Sequence, residues 1–355
     1  MAQLQKALND IYYHVGEIKS ISKVYQTPAW GFEGEAFLNA CIAVRTRLKP
    51  EALLEELLRI EREHGRVRKE QSGYENRPID LDVLLYEEVT METEFLRLPH
   101  PQMHLRDFVM IPLADIAPGV MHTSTQKTVA ELAEGFPKVG IEPIADQLQS
   151  PVSYSQNPYH YIAVEGNIGA GKTSFSTMVS QDFNGKLILE RFRDNPFLPK
   201  FYQDKNRYAF PLEMSFLADR YQQLSEDLAQ YDLFSDFVIS DYDVFKSLIF
   251  ANITLAEDEF GLYQKLFHLM YKELVKPDLY VYLYQNTDRL LENIRKRGRE
   301  YEKNIQRDYL IKINQSYLNF MKSQLNLNVK VIDISELDFV QNRADYVRLL
   351  EEIWD

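Results

Sequence analysis

One octapeptide constrains this chain more than any other feature. Gly166-Asn167-Ile168-Gly169-Ala170-Gly171-Lys172-Thr173 matches G-x-x-x-x-G-K-[ST] and directly follows an apolar run, Tyr161-Ile162-Ala163-Val164-Glu165. A glycine-rich turn between a buried strand and a helix lets backbone N–H groups wrap a phosphate. Lys172 then supplies a point charge to the outer phosphates, and Thr173 a hydroxyl for magnesium. The bland alternative is a turn that binds nothing; the strand before it and the amphipathic helix after it argue against that. Further strands are expected at 187–190, 237–241, 278–284 and 330–334, with helical patterns between them. Such alternation predicts a parallel sheet with helices on both faces.

The chain has 355 residues, which suits two domains. It is 45% hydrophobic and 26% charged, ordinary for a soluble globular protein. Its net charge of −13 is shared between the halves, so neither is a basic nucleic-acid module. Apolar runs are too short for a membrane span, and residues 1–10 show no secretory signal pattern. The single cysteine, Cys41, excludes an internal disulfide framework and a thiolate-rich zinc site. It suits a reducing cytoplasm, where the protein is expected. In the first region, residues 1–13 have helical apolar spacing and 50–64 form a periodic helix opened by Pro50. Strands are expected at 19–25, 36–48 and 79–86, which makes an α+β or α/β unit. Residues 136–158 bring Pro137, Pro143, Pro151 and Pro158 among polar residues and read as a linker. The expected domains are therefore 1–135 and 159–355.

In the second domain, Glu190 closes the second strand, and a carboxylate there sits at the ligand-binding edge of a parallel sheet. It is placed to take a proton from a substrate hydroxyl, although spacing alone favours a solvated strand end. Arg295-Lys296-Arg297-Gly298-Arg299 is either a solvated face or a lid that neutralises a transferring phosphoryl group. Taken with Glu165 to Thr173, Asp194-Asn195-Pro196 and Val331-Ile332-Asp333, these residues resemble the deoxynucleoside kinases over about 159–355. The resemblance implies a P-loop kinase with a parallel sheet, using ATP and Mg2+. It implies Glu190 as the base for the sugar 5′-hydroxyl, Arg297 and Arg299 as lid arginines, and Tyr202 with Glu302 on the 3′-hydroxyl. Arg220 matches an arginine beside the nucleobase, and Glu213 falls where a base-reading Gln is usual.

Two departures from that family stand out. Its Glu-Arg-Ser after the third strand is Ser240-Asp241-Tyr242 here, so Asp241 is expected to take the metal role, and the Arg has no evident substitute. Lys246 falls where an Asp is common. An ionised Glu only accepts and a Lys only donates. Guanine offers two donors and an acceptor, so deoxyguanosine is the expected substrate if Glu213 and Lys246 read the base. Equally open is that Glu213 and Lys246 pair with each other or with solvent.

The first domain has its own constellation. Asp80 and Asp82 in Arg77-Pro78-Ile79-Asp80-Leu81-Asp82 share a strand face, where two carboxylates repel unless a cation joins them. Magnesium binds one or two carboxylates with substrate phosphates, and Arg66, Arg68 and Arg77 supply charge for a polyphosphate. A solvated strand face is the equal alternative. With Phe37-Leu38-Asn39-Ala40, Gly65-Arg66-Val67-Arg68, Leu98-Pro99-His100-Pro101 and Ile116-Ala117-Pro118, the set resembles 6-hydroxymethyl-7,8-dihydropterin pyrophosphokinases over about 2–133. The resemblance implies that Asp80 and Asp82 hold magnesium. Arg66, Arg68, Arg77, His100 and Arg106 would handle ATP phosphates, with Arg66 and Arg77 at the reacting groups. Pro28, Phe37, Asn39 and Phe108 would form the pterin pocket, and Tyr74 would stand in for a loop aromatic.

Members of that family open with a strand and a Gly-Ser-Asn loop before the first helix, whereas Met1 already lies in that helix. A natural chain longer than this one is expected on that ground. The expected architecture is an α/β two-domain chain: an incomplete ferredoxin-like α+β domain, then a P-loop kinase domain. The expected function is bifunctional, pterin pyrophosphorylation and deoxynucleoside 5′-phosphorylation. The alternative makes the first domain a non-catalytic structural or assembly module. The expected partners are small-molecule substrates and a second copy of the chain, with no nucleic acid and no membrane.

Overall fold

The structure is a computed structural model of the chain. It describes residues 1–28, 36–65, 78–137, 140–151, 158–191, 195–230, 234–299, 302, 305–323 and 327–354. Two compact units divide it, Met1–Ser153 and Tyr154–Asp355. Among the described residues, no helix is long and apolar enough to cross a membrane.

Unit 1 runs α1 (Ala2–His14), β1 (Gly16–Ile21), β2 (Tyr25–Thr27), β3 (Phe37–Asn39), β4 (Ile42–Thr46) and α2 (Pro50–Glu63). Two short hairpins follow, β5 (Met91–Glu92) with β6 (Arg97–Leu98) and β7 (Met121–His122) with β8 (Lys127–Thr128). Between and after them come α3 (Asp107–Ile116), α4 (Val129–Glu134) and β9 (Glu142–Pro143). Pro50 opens α2, its fixed φ suiting a first helical turn. Thr128 and Glu131 cap α4 reciprocally, each side chain bonded to the other's backbone N–H. Ile11 of α1, Val15 just after it, and Leu57 and Ile60 of α2 share one core with Val83 and Leu98.

Three expectations change in this unit. The strand expected at 19–25 is two strands, and the one at 36–48 splits likewise. β1 pairs antiparallel with β4 across an irregularity at Ile18/Ser20, whereas β2 lies between β3 and β9. Second, 79–86 is no strand. Its side chains alternate, with Ile79 and Val83 buried and Asp80 and Asp82 exposed. Its backbone is not laddered: the Leu81 N–H donates to the Glu61 carboxylate at 2.8 Å, and the Leu84 carbonyl accepts from the His100 N–H at 2.9 Å. Alternation reports two faces, but a strand also needs a neighbour. Third, part of the expected linker belongs to unit 1. Glu142–Pro143 pairs with β2, Ile141 and Leu148 are buried, and Gln5 and Gln149 exchange hydrogen bonds. Its prolines and polar residues hid this apolar anchoring.

Unit 2 runs β10 (Tyr161–Gly166), α5 (Lys172–Asp182), β11 (Gly185–Ile188), α6 (Leu198–Gln203), α7 (Lys205–Ala229), β12 (Phe237–Ser240), α8 (Phe245–Thr254), α9 (Glu257–Tyr271), β13 (Leu279–Tyr284), α10 (Thr287–Arg297), α11 (Arg307–Ser323), β14 (Val329–Asp333) and α12 (Arg343–Trp354). The sheet is parallel, in the order β11-β12-β10-β13-β14. Every residue of β10 is buried, as a sheet covered on both faces requires. Ile162, Val164, Val281 and Leu283 pack with Phe175, Tyr346 and Leu350 on one face. Ala163 and Tyr280 pack with Leu217, Tyr242 and Phe267 on the other.

Candidate active sites

The phosphate loop follows the tip of β10. Gly169 and Gly171 have φ of 88° and 84°, and a Cβ at Gly171 would lie 2.8 Å from the Phe339 ring. Only glycine meets both demands without strain. The loop is clamped by its own Asn167, whose Nδ2 donates to the Leu310 carbonyl and to Asn314 Oδ1 at 2.8 and 2.7 Å. Asn293 Nδ2 donates to the Gly169 carbonyl at 2.9 Å. Lys172 Nζ folds back onto the carbonyls of Gly166 and Asn167, at 2.9 and 3.0 Å. Behind the loop, buried Glu165 accepts from the Asp243 N–H and Tyr317 hydroxyl, and burial pushes its carboxyl up.

Glu190 stands two residues beyond β11, its strand end fixed by Gln223, which donates to the Leu189 carbonyl at 2.7 Å. The Glu190 N–H donates to Asp241 Oδ1 at 2.8 Å. Its carboxylate is gripped from both sides. Oε1 takes Arg220, through Nε at 2.9 Å and a terminal nitrogen at 2.7 Å, and Oε2 takes Lys246 Nζ at 2.6 Å. Burial alone would raise this acid, but Lys246 and Arg220 overcome it and hold the carboxyl well below its usual range. Arg220 is itself tied to Ser247 Oγ at 2.7 Å and lies over Phe216.

Lys246 does not pair with Glu213, one of the alternatives open from the sequence: its ammonium is held by the carboxylate of Glu190. Glu213, two helical turns from Arg220 on α7, accepts from Thr254 Oγ1 at 2.9 Å, and its Oε2 is buried without a hydrogen-bond partner. Burial pushes the Glu213 carboxyl up to about 7. Arg297 donates to Glu302 Oε2 at 3.1 and 2.6 Å, and Arg299 to Oε1 at 3.4 Å, so the two lid candidates converge on the carboxylate expected at the sugar. Between them Gly298 takes φ 67° and ends α10. Tyr202 lies on α6, its side chain outside the described residues. Thr173 Oγ1 donates to Asp241 Oδ2 at 2.5 Å. A hydroxyl beside a carboxylate fits magnesium that completes its shell from phosphates and water. Among the described residues, no three His, Cys, Asp or Glu side chains gather as a metal site.

In unit 1, a cavity of about 1300 Å³ brings Pro28, Phe37, Asn39, Asp80, Asp82, His100, Arg106 and Phe108 to one wall system, although 80 residues separate the first from the last. Asn39 Nδ2 donates to Thr27 Oγ1 at 2.8 Å, Arg106 donates to Gln102 at 2.6 Å and sits 5.7 Å from the Phe108 ring centre. Exposed on one side of an extended segment, Asp80 and Asp82 are suited to share a hard cation. Arg66, Arg68, Tyr74 and Arg77 lie outside the described residues. Sequence reasoning missed Ser247, Thr254, Gln223 and Tyr317. Lone hydroxyls and amides within helices carry no local signal; only their buried partners reveal them.

A glycine loop between a parallel strand and a helix, facing a carboxylate at the next strand tip, defines a P-loop phosphotransferase. Comparison with known proteins resolves the class. The family model "Deoxynucleoside kinase" matches residues 162–355, and "7,8-dihydro-6-hydroxymethylpterin-pyrophosphokinase (HPPK)" matches residues 1–118. A deoxyguanosine kinase of Bacillus subtilis (strain 168) is 37% identical over 201 residues, 56% of this chain and 97% of that protein. A 2-amino-4-hydroxy-6-hydroxymethyldihydropteridine pyrophosphokinase of Porphyromonas gingivalis is 46% identical over 118 residues, 32% of this chain and 80% of that protein. A solved deoxyadenosine kinase from M. mycoides with bound dATP is 24% identical, with a TM-score of 0.47, over 54% of this chain and 98% of that one. The chain belongs to the deoxynucleoside kinase family in its C-terminal unit and to the pterin pyrophosphokinase family in its N-terminal unit.

Proposed function

We propose that unit 2 moves the γ-phosphoryl group of magnesium-ATP to the 5′-hydroxyl of a deoxynucleoside, and that unit 1 moves pyrophosphate from ATP to 6-hydroxymethyl-7,8-dihydropterin. The observation that carries the kinase reading is Glu190, a half-buried carboxylate held by two cations at the strand tip beside the phosphate-loop partner Asp241. There it accepts the hydroxyl proton as the oxygen attacks phosphorus. Lys172 and Arg297 and Arg299 neutralise the phosphoryl charge, and Glu302 with Tyr202 receives the sugar. Thr173 and Asp241 would hold magnesium, which when bound draws charge from the phosphates. The unpartnered Oε2 of Glu213 supports deoxyguanosine as substrate, since it can accept from guanine's pairing-edge donors. In unit 1, Asp80 and Asp82 would hold magnesium, His100 and Arg106 with Arg66, Arg68 and Arg77 the phosphates, and Phe37, Asn39, Pro28 and Phe108 the pterin.

Incubation of the full chain with Mg2+, ATP and each substrate separates the activities, because pyrophosphoryl transfer leaves AMP and phosphoryl transfer leaves ADP. AMP dependent on the pterin, and ADP dependent on deoxyguanosine, are the expected products. A second reading, with only the kinase active, is favoured by one observation: 79–86, which carries Asp80 and Asp82, is paired into no sheet among the described residues. ADP with no AMP would establish it. Leu262 and Leu269, exposed two turns apart on α9, favour a homodimer, which light scattering would measure. A cytoplasmic setting agrees with the lone, buried Cys41.

A further inference from the structure

We infer that Lys246 is a positioning residue of the phosphoryl-transfer centre: with Arg220 it fixes the Glu190 carboxylate, and it plays no part in choosing the base. This rests on Glu190 being the base of the reaction proposed above. A carboxylate turns freely about its last bond unless both oxygens are held. Here Arg220 holds Oε1 and Lys246 holds Oε2, so the plane of the group is set by two cations on different helices. Lys246 lies in the first turn of α8, and its side chain is 12% exposed. Its ammonium stands 5.8 Å from the Phe250 ring centre, one turn along the helix.

The division of labour follows from side-chain chemistry. Arg220 is a planar fork already bound to Ser247 and Phe216, whereas Lys246 is a point charge on a flexible stem. Lys172 of the phosphate loop feels both Lys246 and Glu190. Two cations thus hold the base while Lys172 waits on the loop carbonyls, a surplus suited to an incoming polyphosphate. The arginine missing after β12 is replaced, in this account, by a lysine five residues beyond Asp241.

The test is steady-state kinetics of the full chain on the four natural deoxynucleosides, for Lys246→Met, Lys246→Arg and Glu190→Gln, and for the Glu190→Gln/Lys246→Met pair. Calorimetric binding of deoxyguanosine and thermal unfolding are measured alongside. Lys246→Met should lower kcat about 10–100-fold for every accepted nucleoside alike, leaving KM and rank order unchanged, and Lys246→Arg should recover most of the loss. The double variant should be no slower than Glu190→Gln, because both act through one group. A reordered nucleoside preference, an unchanged kcat in Lys246→Met, or an additive double variant would each overturn the inference. If Glu190→Gln itself keeps its activity, the base assignment falls, and that is a separate result. Should Lys246→Met fail to fold, Lys246→Gln is read by the same criteria.

Discussion

The hydroxyl of Thr173 donates to Asp241 Oδ2 at 2.5 Å, tying the first turn after the phosphate loop to the tip of β12. The other oxygen of the same carboxylate takes the Glu190 N–H. One aspartate therefore joins the phosphate loop, the third strand and the segment bearing the base.

Asp241→Asn should raise the Mg2+ concentration needed for half-maximal deoxynucleoside phosphorylation, by about tenfold or more, since outer partners of a metal alone are worth 10–100-fold. Magnesium titration of initial rate measures it. An unchanged midpoint would remove Asp241 from the metal site.

Glu190→Gln should cut deoxynucleoside phosphorylation 10²–10⁴-fold, the usual worth of a general base. It should also lower Tm by several degrees. Glutamine keeps the shape but leaves Arg220, which is buried, facing a neutral group. Activity and differential scanning calorimetry read the two effects.

Glu213 gives a pH prediction. Burial pushes its carboxyl up to about 7 from an ordinary carboxylate, so the folded protein binds this proton where the unfolded chain has released it. Stability from this group is therefore present at acid pH and is lost as pH rises towards about 7. Glu213→Gln should flatten that slope in the ligand-free protein, by on the order of 1–3 kcal/mol across the window. The same ionisation changes the base reader. Protonated Glu213 can donate to adenine, so the ratio of deoxyadenosine to deoxyguanosine kcat/KM should rise as pH falls from 8 to 6.

Asp82→Ala should abolish pterin-dependent AMP formation and leave ADP formation from deoxynucleoside unchanged. Joint loss of both would show damage beyond one site. Product chromatography with each substrate separately decides.

Amide exchange should be faster across 79–86 than in β13. The Leu81 N–H relies on the Glu61 side chain in place of a strand partner, whereas β13 is laddered on both edges. Exchange mass spectrometry of the two peptides compares them directly.

Much of this was legible in the sequence because it is local. The loop Gly166–Thr173 carries its own conformation in Gly169 and Gly171, and α2 and α10 carry their ends in Pro50, Asn286 and Gly298. The alternation at 79–83 likewise announced which side Asp80 and Asp82 take. What the sequence could not hold was pairing across distance. Lys246 and Glu190 are 56 residues apart and meet only because α8 begins beside the tip of β11. A charge in isolation suits many partners, and burial selects one. Glu142–Pro143 became a strand because β2 offered an open edge, whereas 79–86 is paired with no strand among the described residues. Local chemistry is written in residue order; the choice among partners is made by the packed core, where an unpaired charge or backbone group costs more than the chain can leave unmet.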